Sequence, residues 1–595
     1  MAIDPKIDPY ILEGRVVTMA AAGVIDRGRV YISGATIADV RPAESPRPDG
    51  FSKAPIVKVG GTIYPGLIET HNHLSYNAIP IWDVPKRYAH SGSWQGTDEY
   101  KTAITKPAQV LANTAGNVEA LVRFVECRCL LGGVTTSQGI TLSSKSSIKS
   151  AYKGLVRNVE SPMEDDLDAA GAKIGAPDKD LDAYEKKLEK KKCYLQHLSE
   201  GIGDTARKQF TRLQRGDGSW ALDPSFCGVH STALEPEDFQ VLANEGGSIV
   251  WSPISNLLLY GDTTKVAAAK AAGVPIALGS DWAPSGTKNL LGELKVAFLV
   301  SEEQGGLFTH RELCEMVTST PARILGWDDM LGTVEAGKYA DLIVIDDAVD
   351  EPYQQLIEAR ETSLTLVIIG GVPRVGQRRM MNRFLLGPGT EDLEIGSSRR
   401  LLDLTSNVDP DPTGGITLAE ATRRLDDSLA RLPELAGELD AALGAGWVPG
   451  NELVLGAGEL PSDHGLPDDW RAPKFSVVLD FEEGDAALDP SFALGAADLA
   501  DWVAPMELEG ITVPDDPGFF PRLARALNLP SYIKTGLPPL YGSPVPSLEI
   551  LNTGRFDASL RASRELREEP LETTWLSKTA RIRTIDEAIA VLDHH

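Results

Sequence analysis

"GGTIYPGLIETHNHLSYN", residues 60 to 77, closes an apolar run with two histidines, His71 and His73, one residue apart. If the run is a β-strand, side chains alternate between its faces, so residues two apart point the same way. Two imidazoles on one face at the end of a strand can hold a metal ion between them. Two surface histidines in a loop would show the same pattern, so the rest of the chain has to decide.

This stretch separates two patterns of secondary structure. Before it, short β-rich segments alternate with Gly, Pro and Asp turns, which predicts strands. After Ile68, apolar strand-like runs alternate with helical stretches, as in an α/β protein with a parallel sheet and helical crossovers. From Leu67 to Gly332 the length suits a (β/α)₈ TIM barrel, typically ~250 residues. The fourth strand of this barrel is degraded or absent, because residues 165–192 are charged and ambiguous.

Strand-like segments return after the predicted barrel, at residues 331–347 and 364–376. We therefore predict four regions: residues 1–66 and 333–377 as two parts of a small composite β-sandwich, 67–332 as the barrel, and 378–595 as an extra C-terminal α+β region. In the last region, residues 417–443 have helical periodicity and residues 472–484 resemble one strand. The sequence of this C-terminal region contains no chemical motif that would predict its role.

Composition narrows the class of function for this chain of 595 residues. Its formal net charge of −27 disfavours nucleic acid and anionic membranes as partners, since both attract basic surfaces. Its five cysteines lack the spacing of a zinc knuckle or a disulfide framework, which is typical of reduced thiols. No signal peptide and no apolar run of the ~20 residues needed for a membrane span are evident. We expect a cytoplasmic protein that acts on a small molecule.

Four of the nine histidines and one acid follow apolar, strand-like runs. In a (β/α)₈ barrel the carboxyl ends of all strands open onto one mouth, where active sites are built. The sequence therefore predicts that these side chains meet there: His71 and His73 after the first strand, His197 with Glu200 after the fifth, His230 after the sixth and Asp281 after the eighth.

Together these segments resemble the amidohydrolase superfamily, in its cytosine-deaminase and triazine-chlorohydrolase-like branch. The resemblance covers roughly residues 8 to 376 and implies a metal-dependent hydrolase with a composite β-domain beside its barrel. The segments that carry it, in the order of the family, are "PGLIETHNH", "QHLSE", "GVHSTAL", "SPISNLLLYGD", "ALGSDWAPSGTKNLLGELKVA" and "LGTVEAGKYADLIVID".

The resemblance implies one divalent ion, bound by His71, His73, His197 and Asp281. Three imidazole nitrogens and a carboxylate oxygen suit Zn²⁺, and Fe²⁺ is also compatible with this donor set. Such an ion lowers the pKa of bound water towards ~7 and so supplies hydroxide at neutral pH. The hydroxide would attack a carbon bonded to nitrogen.

Three catalytic roles follow from the same resemblance. Asp281 would take the proton of the water, His230 would orient the hydroxide or stabilise the developing oxyanion, and Glu200 would shuttle a proton to the substrate. Each residue also has a purely structural alternative. His230 could only support Asp281 by a hydrogen bond, Glu200 could be a solvated carboxylate at a helix start, and Asp281 could cap a helix.

Two positions depart from the pattern of the family. Trp251 stands where many relatives carry a histidine, which changes the polarity of the pocket. Binuclear members use a carboxylated lysine from the fourth strand, whereas Lys153 precedes its predicted strand. We therefore predict a single metal ion.

The segment from Leu74 to Tyr100 is unusually aromatic and could form a lid or wall over the metal; packing against a neighbouring subunit is the alternative. Trp and Asn side chains at strand ends would suit a flat, polar heterocycle or an aryl amide. The predicted substrate-binding residues are Trp82, Arg87, Trp251, Asn256 and Trp282.

Deamination of a heterocycle is the first reaction that we predict, and cleavage of an amide or lactam is the second. A dehalogenating hydrolase of the same branch is an alternative, because hydroxide could displace chloride from a heteroaromatic ring. The rival class is a non-catalytic binding or assembly protein that retains the barrel. The C-terminal region could also serve an unusually large substrate or a protein partner. We expect a homo-oligomer, a dimer or higher.

Overall fold

The computed structural model of the protein describes residues 2–139, 154–173, 177–346, 349–444 and 499–545. Lys153 and the predicted strand at residues 472–484 lie outside these ranges.

A nine-stranded sheet joins segments from both sides of the predicted barrel. Its strands are β1 (Tyr10–Val17), β2 (Val24–Ser33), β3 (Thr36–Pro42), β4 (Ile56–Pro65), β13 (Leu342–Asp346), β14 (Leu364–Ile369), β15 (Val372–Gln377), β16 (Thr390–Ile395) and β17 (Ser398–Asp403). Their order is β16-β17-β15-β14-β13-β4-β1-β2-β3. Strand β13 pairs with β4 in antiparallel register, with Val344 opposite Ile63, and so fastens the two halves. Strands β16 and β17 come from beyond residue 377 and extend the same sheet. The boundaries of the four predicted regions stay a prediction.

Between β4 and β13, a three-stranded and a five-stranded sheet together contain eight strands, and every pair within them is parallel. These strands are β5 (Leu67–Glu69), β6 (Val134–Ser137), β7 (Arg157–Asn158), β8 (Gly171–Lys173), β9 (Tyr194–Leu198), β10 (Phe226–His230), β11 (Ser248–Trp251) and β12 (Ile276–Leu278). A parallel bridge between Asn72 and Asp281 links the segment after β5 to the segment after β12. The architecture is therefore mixed α/β.

Strand β8 lies where the fourth strand is expected to be degraded or absent, and it is present in a shortened form. It has only three residues, and Gly171 pairs with Tyr194 of β9. A run this short between charged residues carries no periodic signal that would reveal it in the sequence.

Of the eight parallel strands, all but β8 are buried along their whole length, as is usual for a sheet that is covered on both faces. Neighbouring residues point into different cores, as the alternation of a strand requires. Ile249 packs in the large core that includes the helices, whereas Val250, the next residue, packs in an inner cluster with Ile68 and Val229.

Helices connect and surround these strands. Helices follow β5, β9, β10, β11 and β12, which confirms the predicted alternation of strand-like and helical stretches, and the periodic segment at 417–443 forms two helices. The helices are α1 (Asp98–Tyr100), α2 (Lys106–Asn113), α3 (Asn117–Leu131), α4 (Leu181–Leu188), α5 (Asp204–Thr211), α6 (Pro236–Asn244), α7 (Pro253–Tyr260), α8 (Val266–Ala272), α9 (Leu290–Glu303), α10 (His310–Glu315), α11 (Ser319–Leu325), α12 (Pro352–Glu358), α13 (Arg378–Met381), α14 (Leu418–Ala430), α15 (Leu432–Gly444), α16 (Leu499–Trp502), α17 (Phe519–Arg525) and α18 (Ser531–Leu540). Within the described ranges, none combines the length and apolar character needed to cross a membrane.

The C-terminal segment 499–545 supplies partners to a buried lysine beyond β12. Lys288 is 3% exposed, and its Nζ lies 2.8 Å from Glu509 and 2.7 Å from Asp516. Removing the partner of a buried charge costs roughly 3–5 kcal/mol, because the charge is then uncompensated. Deleting the chain beyond Gly376 would therefore destabilise the protein, and lost turnover in that deletion would not identify a role of this segment in the site.

One buried carboxyl group leads to a prediction about stability and pH. Glu293, on α9, accepts the backbone N–H groups of Thr287 at 3.0 Å and Ile254 at 3.4 Å, and burial raises its pKa from 4.5 to about 8. Between these values the folded state binds more protons than the unfolded chain, so this group lowers stability as the pH rises. We expect Glu293→Gln, which imitates the protonated form, to reduce the loss of stability between pH 5 and 8 by on the order of 3 kcal/mol. Urea unfolding measures this change, with the exposed Glu302→Gln on the same helix as the control. Equal pH profiles for wild type and Glu293→Gln would contradict the prediction.

Candidate metal centre

His71 and His73 follow the first parallel strand and do not lie within it. Strand β5 ends at Glu69, and a short 3₁₀ turn begins at Leu74. The expected strand alternation therefore does not orient the two imidazoles. They are held by the backbone, because Asp281 N–H donates to His71 O at 3.0 Å and His73 N–H donates to Asp281 O at 2.5 Å.

The structure brings the predicted ligands together. His197 lies in β9, His230 ends β10, and Asp281 follows β12. The ring centroid of His71 lies 4.9 Å from that of His73, 4.7 Å from that of His197 and 5.0 Å from that of His230. Two sets of ligand atoms each lie within 4.8 Å of one another: one from His71, His73 and His197, the other from His71, His230 and Asp281. All five side chains are buried.

Backbone conformation at two strand ends is unusual. His230 has φ of 66° and Asp281 has φ of 62°, in the left-handed region that side chains other than glycine seldom adopt. Such residues cluster at functional sites, where the surrounding structure holds them in place. The backbone at residue 279 passes so close to His71 that only glycine fits there, since a Cβ on Gly279 would lie 2.6 Å from the Cβ of His71.

The chemistry of the donor set fits a divalent cation. The Nδ1 of His197 lies 3.3 Å from Lys173 O, whereas its Nε2 is buried and has no hydrogen-bond partner among the residues that the structure describes. A hydrogen bond at Nδ1 leaves the lone pair of Nε2 free for a metal. Burial lowers the pKa of His197 well below its usual range and that of His230 to about 3. Both imidazoles are therefore neutral, which is the form that binds metals.

Asp281 is oriented by residues from several elements. Its Oδ1 lies 3.0 Å from His71 Nε2 and 3.5 Å from His73 Nε2. Its Oδ2 accepts a hydrogen bond of 2.6 Å from Ser255 Oγ, which lies 2.7 Å from Ser285 Oγ. Ser255 was not among the predicted site residues, although the segment "SPISN" that contains it was part of the resemblance.

We expect Ser255→Ala to weaken metal binding, because the carboxylate of Asp281 loses the donor that fixes its orientation. Loss of such a supporting hydrogen bond typically costs ~10–100-fold in metal affinity. Competition with a chelator measures the zinc affinity. Ser301→Ala is the matched control. Ser301 is also buried, but it lies on helix α9, and its Oγ accepts a hydrogen bond from the backbone N–H of Phe308. Equal affinity in wild type and Ser255→Ala would contradict the expectation.

Glu200 lies near these ligands and is buried, unlike a solvated carboxylate at a helix start. Burial, followed by the negative charge of Asp281, raises the pKa of Glu200 to about 7. Its Oε1 accepts a hydrogen bond of 2.6 Å from the hydroxyl of Tyr260. A carboxyl group with a pKa near neutrality can exchange protons at physiological pH.

The predicted substrate-binding residues occupy different environments. Trp282 is buried, with its ring centroid 6.3 Å from that of His73, and Asn256 Nδ2 lies 3.2 Å from His230 Nδ1. Trp251 is buried and donates its Nε1 hydrogen to Thr263 Oγ1 at 2.7 Å. Arg87 is exposed, and its Nε donates to Tyr260 O. Trp82 belongs to the aromatic cluster described next.

Five aromatic side chains pack together in one cluster that reaches the metal centre through Trp282, and we call them the aromatic lid: Trp82, Tyr88, Trp94, Tyr100 and Trp282. Ring centroids lie 4.8 Å apart for Trp94 and Tyr100, and 6.0 Å apart for Trp94 and Trp282. All five are buried within this one chain, so their packing needs no neighbouring subunit.

A cavity of about 680 Å³ has Trp82 of this cluster in its wall. Its walls are Pro80–Asp83, Ala103, Met506–Gly510, Asp515–Gly518 and Arg522. The metal-centre histidines do not line this cavity.

Comparisons with known proteins identify a family and several relatives. The family model described as "Amidohydrolase family" matches residues 62–374. A 5-methylthioadenosine/S-adenosylhomocysteine deaminase of Teredinibacter turnerae is 33% identical over 177 residues, which are 28% of this chain and 40% of that relative. A protein of the same name from Moorella thermoacetica is 26% identical over 365 residues, 54% of this chain and 82% of the relative.

Similarity to solved structures concerns the fold alone. A variant of the atrazine chlorohydrolase of Arthrobacter aurescens, complexed with zinc and atraton, superposes with a TM-score of 0.52 at 19% identity. The superposition covers 63% of this chain and 96% of that one.

Proposed function

This chain belongs to the amidohydrolase family, and from that premise we propose that it is a metal-dependent hydrolase that deaminates a heterocycle and releases ammonia. The observation that carries the proposal is a pair of buried ligand sets that share His71: one adds His73 and His197, the other His230 and Asp281. The buried carboxyl group of Glu200 lies beside them. The Teredinibacter relative is matched over only 40% of its length, so its name supports the class of reaction and not the substrate.

We propose that the eight parallel strands close into a (β/α)₈ barrel. The bridge between Asn72 and Asp281 supports this closure, because it joins the segments that follow the first and the last of these strands. Similarity in fold to the Arthrobacter enzyme also supports it. The mouth of this barrel would then be the floor of the site, and the aromatic lid its roof.

We propose that His71, His73, His197 and Asp281 hold one divalent ion, with zinc as the first choice. Three nitrogen donors and one oxygen donor match the preferences of this ion. When bound, such an ion supplies Lewis acidity and lowers the pKa of water towards ~7.

The side chains of this protein would then move the protons. Asp281, held by Ser255, takes a proton from the attacking water, and Glu200 gives a proton to a ring nitrogen or to the leaving amine. The amide Nδ2 of Asn256 faces His230 Nδ1, so the proton of neutral His230 lies on Nε2. From Nε2 the imidazole can donate a hydrogen bond to the oxyanion that develops on the substrate.

A flat, amino-substituted heterocycle is the class of substrate that we propose. Trp282 next to the metal centre and the other rings of the aromatic lid offer faces for a planar ring. The Teredinibacter and Moorella relatives are named for deamination of 5-methylthioadenosine and S-adenosylhomocysteine, which makes amino-heterocycles the first compounds to test.

Zinc-loaded protein incubated with aminopurines, their nucleosides, aminopyrimidines, aryl amides and chlorotriazines tests this proposal. We expect ammonia from at least one amino-heterocycle and near one zinc per chain. Amine release from an amide would instead favour the second reaction, and chloride release the dehalogenating alternative. Little bound zinc together with no product would overturn the proposal and favour a binding or assembly protein.

A further inference from the structure

Three buried side chains form a row that ends at Glu200. Trp94 Nε1 donates to the hydroxyl oxygen of Tyr260 at 2.9 Å, and that hydroxyl donates to Glu200 Oε1 at 2.6 Å. Exposure is 1% for Trp94, 0% for Tyr260 and 7% for Glu200. Water therefore has little access to compete for these bonds.

The donors in this row fix its direction. The indole N–H of Trp94 can only donate, and a tyrosine hydroxyl has one hydrogen. Since the oxygen of Tyr260 accepts from Trp94, its hydrogen is left for Glu200 Oε1. That oxygen is therefore an acceptor in this contact, and since the carbonyl oxygen of a carboxylic acid is the better acceptor, the contact favours a proton on the other oxygen, Oε2.

Tyr260 belongs to a helix that contacts each proposed catalytic group. Helix α7 carries Ser255, which bonds Asp281, and Asn256, which bonds His230, in addition to Tyr260. A short, buried helix with three such contacts can hold three groups in one fixed relation.

The C-terminal end of α7 accepts hydrogen bonds from two segments that lie outside the parallel strands and their helices. The carbonyl oxygen of Tyr260 accepts from Arg87 Nε at 2.5 Å, and that of Leu258 accepts from Asn528 Nδ2 at 2.8 Å. Asn528 also donates to Lys86 O at 3.1 Å. The aromatic segment and the C-terminal segment thus restrain the helix that orients Glu200.

We propose that Tyr260 is a positioning residue for proton transfer, which reserves Glu200 Oε1 as a hydrogen-bond acceptor and so presents the proton from Oε2 to the substrate. The proposal rests on the proposed role of Glu200 as the group that gives the proton. Misplacement of a reacting group by about 1 Å can cost ~100-fold in rate, so a lost anchor at Glu200 should slow turnover without weakening substrate binding.

The variant Tyr260→Phe keeps the ring and removes only the hydroxyl. We expect kcat for ammonia release to fall by about 10–100-fold, with KM and the zinc content per chain unchanged within about twofold. Tyr10→Phe is the matched control, because Tyr10 is also fully buried and its hydroxyl bonds Gly371 O at 2.7 Å in the nine-stranded sheet. The control should keep the wild-type kcat. An unchanged kcat in Tyr260→Phe, or a loss equal to that of Tyr10→Phe, would overturn the proposal.

A second measurement reads the contact without any turnover. Infrared difference spectra between zinc-loaded wild type and Glu200→Gln isolate the carboxyl bands of Glu200. In the Tyr260→Phe background, the same difference should show these bands displaced, because Oε1 has lost its donor. Coincident bands in the two backgrounds would overturn the proposal. If the wild type releases no product from any compound but the bands shift, the proposed function fails while the contact of Tyr260 with Glu200 stands.

Discussion

Replacing His73 by alanine is expected to remove bound zinc and hydrolysis together. The side chain is 2% exposed, and its Nε2 lies 3.5 Å from Asp281 Oδ1 within the cluster of ligand atoms. A hydrogen bond that merely supports a metal ligand is worth ~10–100-fold in affinity, so loss of a ligand should exceed about 100-fold. Metal analysis after dialysis and an ammonia assay on the same sample measure the two losses.

A matched histidine shows whether this effect is specific. His310 lies at the start of α10, where its side chain is 37% exposed and its Nδ1 is 3.2 Å from Glu351. His310→Ala should keep zinc near one per chain and full turnover. Zinc retained at that level in His73→Ala would show that His73 is not a ligand, and the proposed metal centre would have to be redrawn.

Glu200→Gln is expected to keep the metal and lose the reaction. The amide has the shape of the carboxyl group, but it cannot give up a proton at neutral pH. General acid–base groups typically contribute ~10²–10⁴-fold to the rate, and kcat should fall within that range. Glu200 contributes no atom to the cluster of metal-ligand atoms, so zinc content should stay near one per chain.

Exposed Glu189, which follows α4, is the control for this substitution. Glu189→Gln should behave as the wild type in both assays. Normal turnover in Glu200→Gln would refute the proton-transfer role and with it the proposal for Tyr260, yet would leave the metal centre standing. The His73 and Glu200 variants thus separate failure of the metal centre from failure of proton transfer.

The candidate ligands were predictable from local pattern. His197 and His230 each lie at the end of a strand-like run, and Asp281 follows such a run, so parallel topology alone brings them to the same end of the strands. His71 and His73 are expected at that end too, although they lie beyond β5 and are held by backbone bonds to Asp281. That detail depends on a contact between residues about 210 positions apart, which no local pattern contains.

The residues that orient the site were harder to predict. Ser255, Asn256 and Tyr260 belong to one apolar helix, and only Asn256 was singled out from the sequence. Trp94 was recognised as part of an aromatic segment, but its bond to Tyr260 joins residues 166 positions apart. No helical period marks α7 in the sequence, because the helix is buried along its whole length, and the partner of each of its side chains depends on how distant segments pack against it.

Sequence by itself determined which chemical groups stand at the ends of the parallel strands, since alternation and apolar runs are local properties of the chain. Only the tertiary structure decided that α7 contacts Asp281, His230 and Glu200 together, and that Glu509 and Asp516 neutralise buried Lys288. The physical reason is the separation along the chain of the residues that interact. Strand and helix patterns arise between near neighbours in the chain, whereas a hydrogen bond needs two atoms within about 3 Å, and packing brings such atoms together from distant segments.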